Sequence, residues 1–510
     1  MKPITRGAGI NASERYLAKL ADATFLDLWS YPNTFGDRTV NGRKTGKELC
    51  DLLVVCGDDV LVFSDKAINW PGGEDVHLAW SRWYRSAVES SVKQIRGAER
   101  WIRHHPNRIF IDSKCEIPLP IQLPPADRMR VHGIAVAVGA HDACSEYVGD
   151  PDGSLLVRSC LQGSAHVTPA HADYAPFAIG DVDPTGPFVH VFDETALDLV
   201  MAEMDTVTDF VWYLNARQVA IRDRIVALAA GEAEMLAAYL ETEDAEGRHS
   251  FPSAASFGGQ LTDGLFINGG EYTRYLMSRA CEAKTSANRV SYGWDRLIQT
   301  FTRNVLGGTS VAIFGEVPEV ALAERGLRMM ALEDRTRRRA LSEAFFGAID
   351  EAVRANQDRF ARVILPIGPS PDPLCGHVFL IFPFRGVAAE KGYDAYRRLR
   401  STFLHAYCLV ALYENRGLSR MLGIALDGPM SLSGRQGGSE DLMLFEVTEW
   451  TADLENDAVR MKADLEILVA DRLRAGRATT YEYPPSPEDT ETVGNRRDRR
   501  ATRSKMRRGR

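Results

Sequence analysis

The stretch from Gly46 to Lys66 constrains the fold of this chain more than any other. Its first apolar run, residues 49–55, is rich in Leu and Val, and so is its second, residues 60–63; between them lies the tight polar turn Cys56-Gly57-Asp58-Asp59. Runs this short, bounded by Gly and Asp, predict two strands joined as a hairpin. Asp51 opens the first strand and Ser64-Asp65-Lys66 closes the second. Residues i and i+2 of a strand share a face, so Ser64 and Lys66 point together and Asp65 points away. Asp51, on the neighbouring strand, lies across from that end and converges with Lys66. A carboxylate beside a lysine at the mouth of a small sheet can hold a divalent metal and activate water for phosphodiester cleavage.

The surrounding pattern frames this hairpin. Residues 11–20 read as a capped helix with Ser13 at its N-cap and Tyr16, Leu17 and Leu20 as its apolar stripe. Residues 25–31 read as a strand ended by Pro32-Asn33, and residues 36–46 as a polar loop. After the hairpin, residues 74–105 carry Trp80, Trp83, Tyr84, Val88, Val92, Ile95, Ala98 and Ile102 mostly three and four apart, which predicts one long helix. Strands follow at 108–111 and 131–138, giving a compact α/β order around a sheet that is first antiparallel and then mixed.

These residues resemble the PD-(D/E)XK nuclease superfamily. The resemblance rests on an N-terminal helix with an acid, a hairpin opened by Asp, a second strand ending in an acid-x-Lys-like triplet, and a following helix. It spans residues of about 10 to 115, a fifth of the chain. It implies a restriction-endonuclease-like core and Mg²⁺ or Mn²⁺ as cofactor. Asp51 corresponds to the main metal ligand, Glu14 to the helical acid of the metal site, Lys66 to the catalytic lysine, and Gln94 to a polar residue on the helix after the core strands. Glu48 is an extra acid able to replace Glu14. Ser64 departs from the pattern, which calls for Asp or Glu two residues before the lysine. Three accounts stay open: a bulge turns Asp65 inward, Glu48 or Glu14 supplies the missing carboxylate, or the site is degenerate and the fold only binds nucleic acid. Outside the resemblance, Asp51 could cap a strand start and Asp65-Lys66 form a solvated strand end. Ser64-x-Lys66 as a nucleophile and base lacks an oxyanion loop.

At 510 residues, the chain is too long for one core. Residues 1–140 form the nuclease-like core of the expectation, and 141–250 extend it with a strand and a long helical segment (205–240). Residues 251–476 make an α+β domain, with helices at 272–283, 294–305, 333–355 and 453–474 and strands at 362–366, 378–383, 421–426 and 442–447. Residues 477–510 are a linker and a disordered basic tail. The fold class expected is therefore an α/β N-terminal core plus an α+β C-terminal domain. Hydrophobic residues make up 45% and charged residues 25%, as in soluble globular proteins, and no apolar run is long enough to span a membrane. The N-terminus lacks the apolar core of a signal peptide, which points to the cytoplasm. The eight cysteines are scattered, with no C-x-x-C pair, and read as buried thiols.

The net charge of −8 hides an asymmetry. Residues 496–510 hold nine Arg or Lys and one Asp, which leaves −16 on the rest. A basic tail on an acidic body points to nucleic acid, DNA first, through Arg496, Arg497, Arg499, Arg500, Arg503, Lys505, Arg507 and Arg508; a solvated terminus without a partner is the other reading. Arg335-Thr336-Arg337-Arg338-Arg339 is a second basic run, read as a solvated helix face or a nucleic-acid face. The functional expectation is a metal-dependent nuclease, by analogy in defence against foreign DNA, with a homo-oligomer as a possible assembly. The alternative is an inactive nucleic-acid-binding or assembly protein on the same fold.

Overall fold

The computed structural model describes residues 3–40, 43–73, 75–150, 153–245, 247–252, 264–312, 319–367, 372–431, 439–469, 474, 476 and 481–484. The basic tail from Arg496 to Arg508 and the glycine-rich stretch 433–438 lie outside the described residues.

The strands are β1 (Ser30–Val40), β2 (Arg43–Cys56), β3 (Asp59–Ala67), β4 (Ile109–Phe110), β5 (Arg130–Val138), β6 (Leu156–Gln162), β7 (Ala178–Asp181), β8 (Val189–Phe192), β9 (Val226–Ala229), β10 (Leu265–Ile267), β11 (Phe360–Ile364), β12 (Cys375–Ile381), β13 (Arg420–Leu426) and β14 (Glu440–Glu446). They make a six-stranded sheet in the order β4-β1-β2-β3-β5-β8 and two four-stranded sheets, β10-β9-β6-β7 and β11-β12-β13-β14. In the first sheet β4, β1, β2 and β3 pair antiparallel, while β3–β5 and β5–β8 are parallel. The crossover from β3 to β5 runs through helices Val76–Tyr84 and Ser90–His104, joined by a π-turn at Arg85–Glu89. The architecture is mixed α/β, as the residue pattern predicts. Trp80, Trp83 and Tyr84 are buried, and one apolar cluster runs from this sheet into the helices Tyr292–Leu306 and Arg335–Ala355. Among the described residues, no helix is long and apolar enough to cross a membrane.

Several local expectations are corrected. Residues 36–46, read as a loop, carry the paired ends of β1 and β2, whose register continues to Val40↔Arg43. Polar residues occupy both faces there, so no apolar alternation marks the strands. Pro32 stands inside β1, opposite Leu52; β4 pairs with β1 only at Phe35 and Gly36, so Pro32 needs no donor on that side. The first helix, Ala12–Thr24, is capped by Asn11 rather than Ser13. The 205–240 helix is two helices, Val207–Arg222 and Glu232–Leu240, separated by β9. Helices Val320–Ala331 and Tyr393–Glu414 escaped the periodicity reading.

The Arg335–Arg339 run is neither a solvated face nor a nucleic-acid face. Arg335, Arg337, Arg338 and Arg339 are all buried. Arg335 bonds Asp205 at 2.8 Å and Asp295 at 2.7 Å, Arg337 bonds Glu333 at 2.6 Å, and Arg338 bonds Asp295 at 2.7 Å. Arg339 donates to Asn288 and to the carbonyl of Tyr481. Tyr481–Pro484, within the segment read as a linker, is thereby strapped to the body. Glu482 pairs with Lys284 at 3.0 Å and His249 at 3.1 Å and accepts from Thr336, and the Tyr483 hydroxyl donates to Leu240 O at 2.6 Å.

Candidate active site

The β2–β3 ladder pairs residues from Cys56↔Asp59 to Leu52↔Phe63. One step further, at Asp51, a side chain takes over from the backbone: Asp51 Oδ2 accepts the Asp65 N–H at 2.6 Å. Lys66 Nζ lies 3.5 Å from the same oxygen. Gln94, on the crossover helix Ser90–His104, donates to Asp51 Oδ1 at 3.3 Å, and its amide oxygen accepts the Ser64 hydroxyl at 3.1 Å. Asp51, Ser64, Lys66 and Gln94 thus meet. Ser64, fully buried where the resemblance calls for a carboxylate, orients the Gln94 amide so that its NH₂ faces Asp51.

The remaining acids surround this group. Glu14 is buried and well supplied with donors. It accepts from Ile10 N at 2.7 Å, Asn11 Nδ2 at 2.6 Å and Asn33 Nδ2 at 3.0 Å, while Asn11 accepts the Glu14 N–H as the helix cap. This is close to a capping box, a structural role that accounts for Glu14 without a metal. Asn33 also donates to Glu48 at 2.9 Å and so bridges the two glutamates. Sequence reading used Asn33 only as a strand terminator. Its left-handed backbone, φ 51°, is a conformation that Asn tolerates better than most residues. The register of β1 against β2 shifts at Thr34/Phe35, so the bulge lies on β2 between Glu48 and Cys50. The pairing of β3 with β5 is regular from Asp59 to Ala67, so no bulge turns Asp65.

Asp65 is the least satisfied group. Both carboxylate oxygens are buried without a partner in hydrogen-bond geometry, although the Ser13 hydroxyl is near enough to favour the ionised form. Burial foremost, then Asp51 and Glu14, push its pKa up. Burial also raises Asp51, against the opposing pull of Lys66, the Asp65 N–H and Gln94. Glu48 is raised by burial and by its acidic neighbours, against the Asn33 hydrogen bond. Glu48, Asp51 and Asp65 therefore share Lys66, and the excess negative charge calls for protons or a cation.

The fit to a metal is partial and specific. Among the described residues, no three His, Cys, Asp or Glu side chains converge as a ready-made cage. Mg²⁺, however, keeps several waters and is commonly held by one or two carboxylates. Asp51 suits that mode through Oδ1, whose bond from Gln94 is 3.3 Å long, with Glu48 near it, whereas Glu14 is already committed to its donors. Compared with protein families, with curated proteins and with solved structures, the chain finds no match in any of the three.

Two outcomes follow from these electrostatics. Asp65→Asn is expected to raise the thermal midpoint at neutral pH without divalent metal. The sign is fixed by linkage: a folded pKa raised above the unfolded value gives stability that is full below the unfolded pKa and lost as pH rises through the folded one. Ionised Asp65 therefore costs stability at neutral pH, and the gain in Asp65→Asn should vanish near about pH 4, the ordinary carboxylate range. Thermal melts at both pH values check this; an equal gain at both contradicts it. Gln94→Ala removes a donor that holds the Asp51 pKa down, so the acid limb of any pH–rate profile should move to higher pH. An unmoved limb would leave Gln94 without a positioning role.

Proposed function

We propose that this cluster is the active site of a metal-dependent nuclease on a restriction-endonuclease-like core. The observation that carries the reading is the meeting of Asp51 and Lys66 at 3.5 Å beside the unpartnered carboxylate of Asp65. The strand order supports it: a helix, three antiparallel strands, a crossover helix and a strand parallel to β3. Asp51 would hold Mg²⁺ or Mn²⁺, with Glu48, which has Asp51 and Lys66 among its charged neighbours, as the second carboxylate. The metal, when bound, would polarise the scissile phosphate and lower the pKa of a bound water. Lys66 Nζ would orient that water and offset the charge developing on the phosphate oxygens. Gln94, aimed by Ser64, would keep Asp51 in place. The substrate is nucleic acid, DNA first, and a role in defence against foreign DNA is an analogy with what such folds do.

A second reading has its own observation. Asp51 Oδ2 already serves as the cap of the splayed β2–β3 ladder, and Ser64 offers no carboxylate, which suits an inactive nucleic-acid-binding protein. Incubating the full chain with plasmid and RNA substrates in Mg²⁺ or Mn²⁺ separates the two. Cleavage lost in both Asp51→Ala and Lys66→Ala supports the nuclease. Binding without cleavage in every metal tried removes it.

A further inference from the structure

The crossover helices turn a second face away from the sheet. Ala87, Val88, Ile95, Ala98 and Ile102 are buried on the inner side. On the opposite side Arg85, Lys93, Gly97 and Arg100 are exposed. The π-turn at Arg85–Glu89 sets their spacing, because it takes in about one extra residue. The eight-residue step from Arg85 to Lys93 therefore covers two turns, as the seven-residue step from Lys93 to Arg100 does in plain α-helix. The three cations stand in one stripe, with Lys93 and Arg100 about 10.5 Å apart along the axis.

The charge of this stripe is not answered within the fold. From Val76 to His104 six Arg or Lys stand against two acids, Glu89 and Glu99, on a body that is otherwise acidic. Glu99 is taken by Arg103 at 3.0 Å and Arg96 at 3.4 Å, and Arg96 also reaches Asp183 at 2.8 Å. Among the described residues, no hydrogen bond or ion pair holds the side chain of Arg85, Lys93 or Arg100. Gly97 lies on the same stripe between Lys93 and Arg100. A Cβ there would meet nothing within 4 Å, so packing does not require the glycine. Glycine inside a helix is less stable than alanine. What it provides is a flat patch of helix surface, open to close approach.

We infer that this stripe is a track for the sugar–phosphate backbone of duplex DNA, beside the Asp51–Lys66 cluster. The inference rests on the nuclease reading for the choice of ligand but not for the binding. Lys93 adjoins Gln94, which donates to Asp51 at 3.3 Å, so the track and the cluster share one helix. Three unpaired cations along a rigid helix suit an evenly spaced polyanion, whose phosphates recur about every 3.4 Å of axis on each strand. The step of about 10.5 Å is close to the width of the major groove, about 12 Å, so Lys93 and Arg100 reach phosphates on its two walls. Gly97 lets the DNA between them come close. The carboxylates of an acidic protein have no such fixed repeat.

The test is anisotropy of a labelled DNA duplex with the full chain, without divalent metal, over a salt series. Loss of three phosphate contacts in Arg85→Ala/Lys93→Ala/Arg100→Ala should weaken binding at least about tenfold and flatten the log–log salt slope by about 2 to 3. Gly97→Leu should also weaken binding, while raising the thermal midpoint, because leucine is the better helix former. A helix with a structural role alone would show the higher melt without the weaker binding, and that outcome overturns the inference. So does an unchanged affinity and slope in the triple variant with its melt intact; if the triple variant melts early, Gly97→Leu decides by itself. Because the readout is binding without metal, absence of cleavage in the parent would remove the nuclease reading and leave the track standing. Cleavage by the parent with unaltered binding by the variants would remove the track alone.

Discussion

Lys66→Ala is expected to slow phosphodiester cleavage by about 10²- to 10⁴-fold, in the range of a lost catalytic group. Lys66 acts on three carboxylates, Glu48, Asp51 and Asp65, and its side chain is 29% exposed, open enough to reach substrate. Its removal takes away both the water-orienting ammonium and the charge that favours ionised Asp51. The fold should survive, because Asp51 keeps the Asp65 N–H and Gln94 as donors. Single-turnover cleavage at saturating metal, with a thermal melt of the same preparation, checks the prediction. A rate within a few-fold of the parent would mean that Lys66 is only the structural counter-ion of Asp51. A collapsed melt would transfer the effect to folding.

The second large effect concerns stability. Arg338→Ala should cost about 3–5 kcal/mol, the range for breaking a buried ion pair from one side. Arg338 is 1% exposed, and every direction of its guanidinium is used: Asp295 Oδ1 at 2.7 Å, Glu333 O at 2.9 Å and Ala331 O at 2.6 Å. Alanine leaves two carbonyls unsatisfied and leaves Asp295, whose pKa Arg338 and Arg335 hold down against burial, with half its compensation. Denaturant unfolding of the two proteins measures the difference, and a cost under about 1 kcal/mol, typical of an exposed pair, would contradict the buried network. Replacement by methionine should recover part of the loss, since volume returns while the carbonyls stay unpaired.

That network shows what a one-dimensional reading misses. The Arg335–Arg339 run looks like a solvated face because four arginines crowd five positions, and crowding is what sequence displays. Arg337 pairs with the nearby Glu333, but Asp205, Asp295 and the carbonyl of Tyr481, the acceptors of Arg335, Arg338 and Arg339, lie between 40 and 142 residues away, and no local pattern announces them. The hairpin at Leu52↔Phe63 was legible because apolar runs and a Gly-Asp turn are local signals. The convergence of Asp51 with Lys66 followed from strand geometry alone. Asn33 was invisible as a site residue, since its bridge between Glu14 and Glu48 depends on bringing a helix and a strand together.

The strap at Tyr481–Pro484 carries a consequence for the timing of folding. Lys284 is buried, and the structure answers its charge with Glu482, 198 residues further along the chain. A buried ammonium without its carboxylate is expensive. During synthesis, Lys284 therefore lacks its main counter-charge, which Glu203 only supplements, until residue 482 has left the ribosome. The body can collapse earlier, but its final packing is coupled to the arrival of that late glutamate, so a chain whose synthesis stops short of it should be recognised by quality control as incomplete.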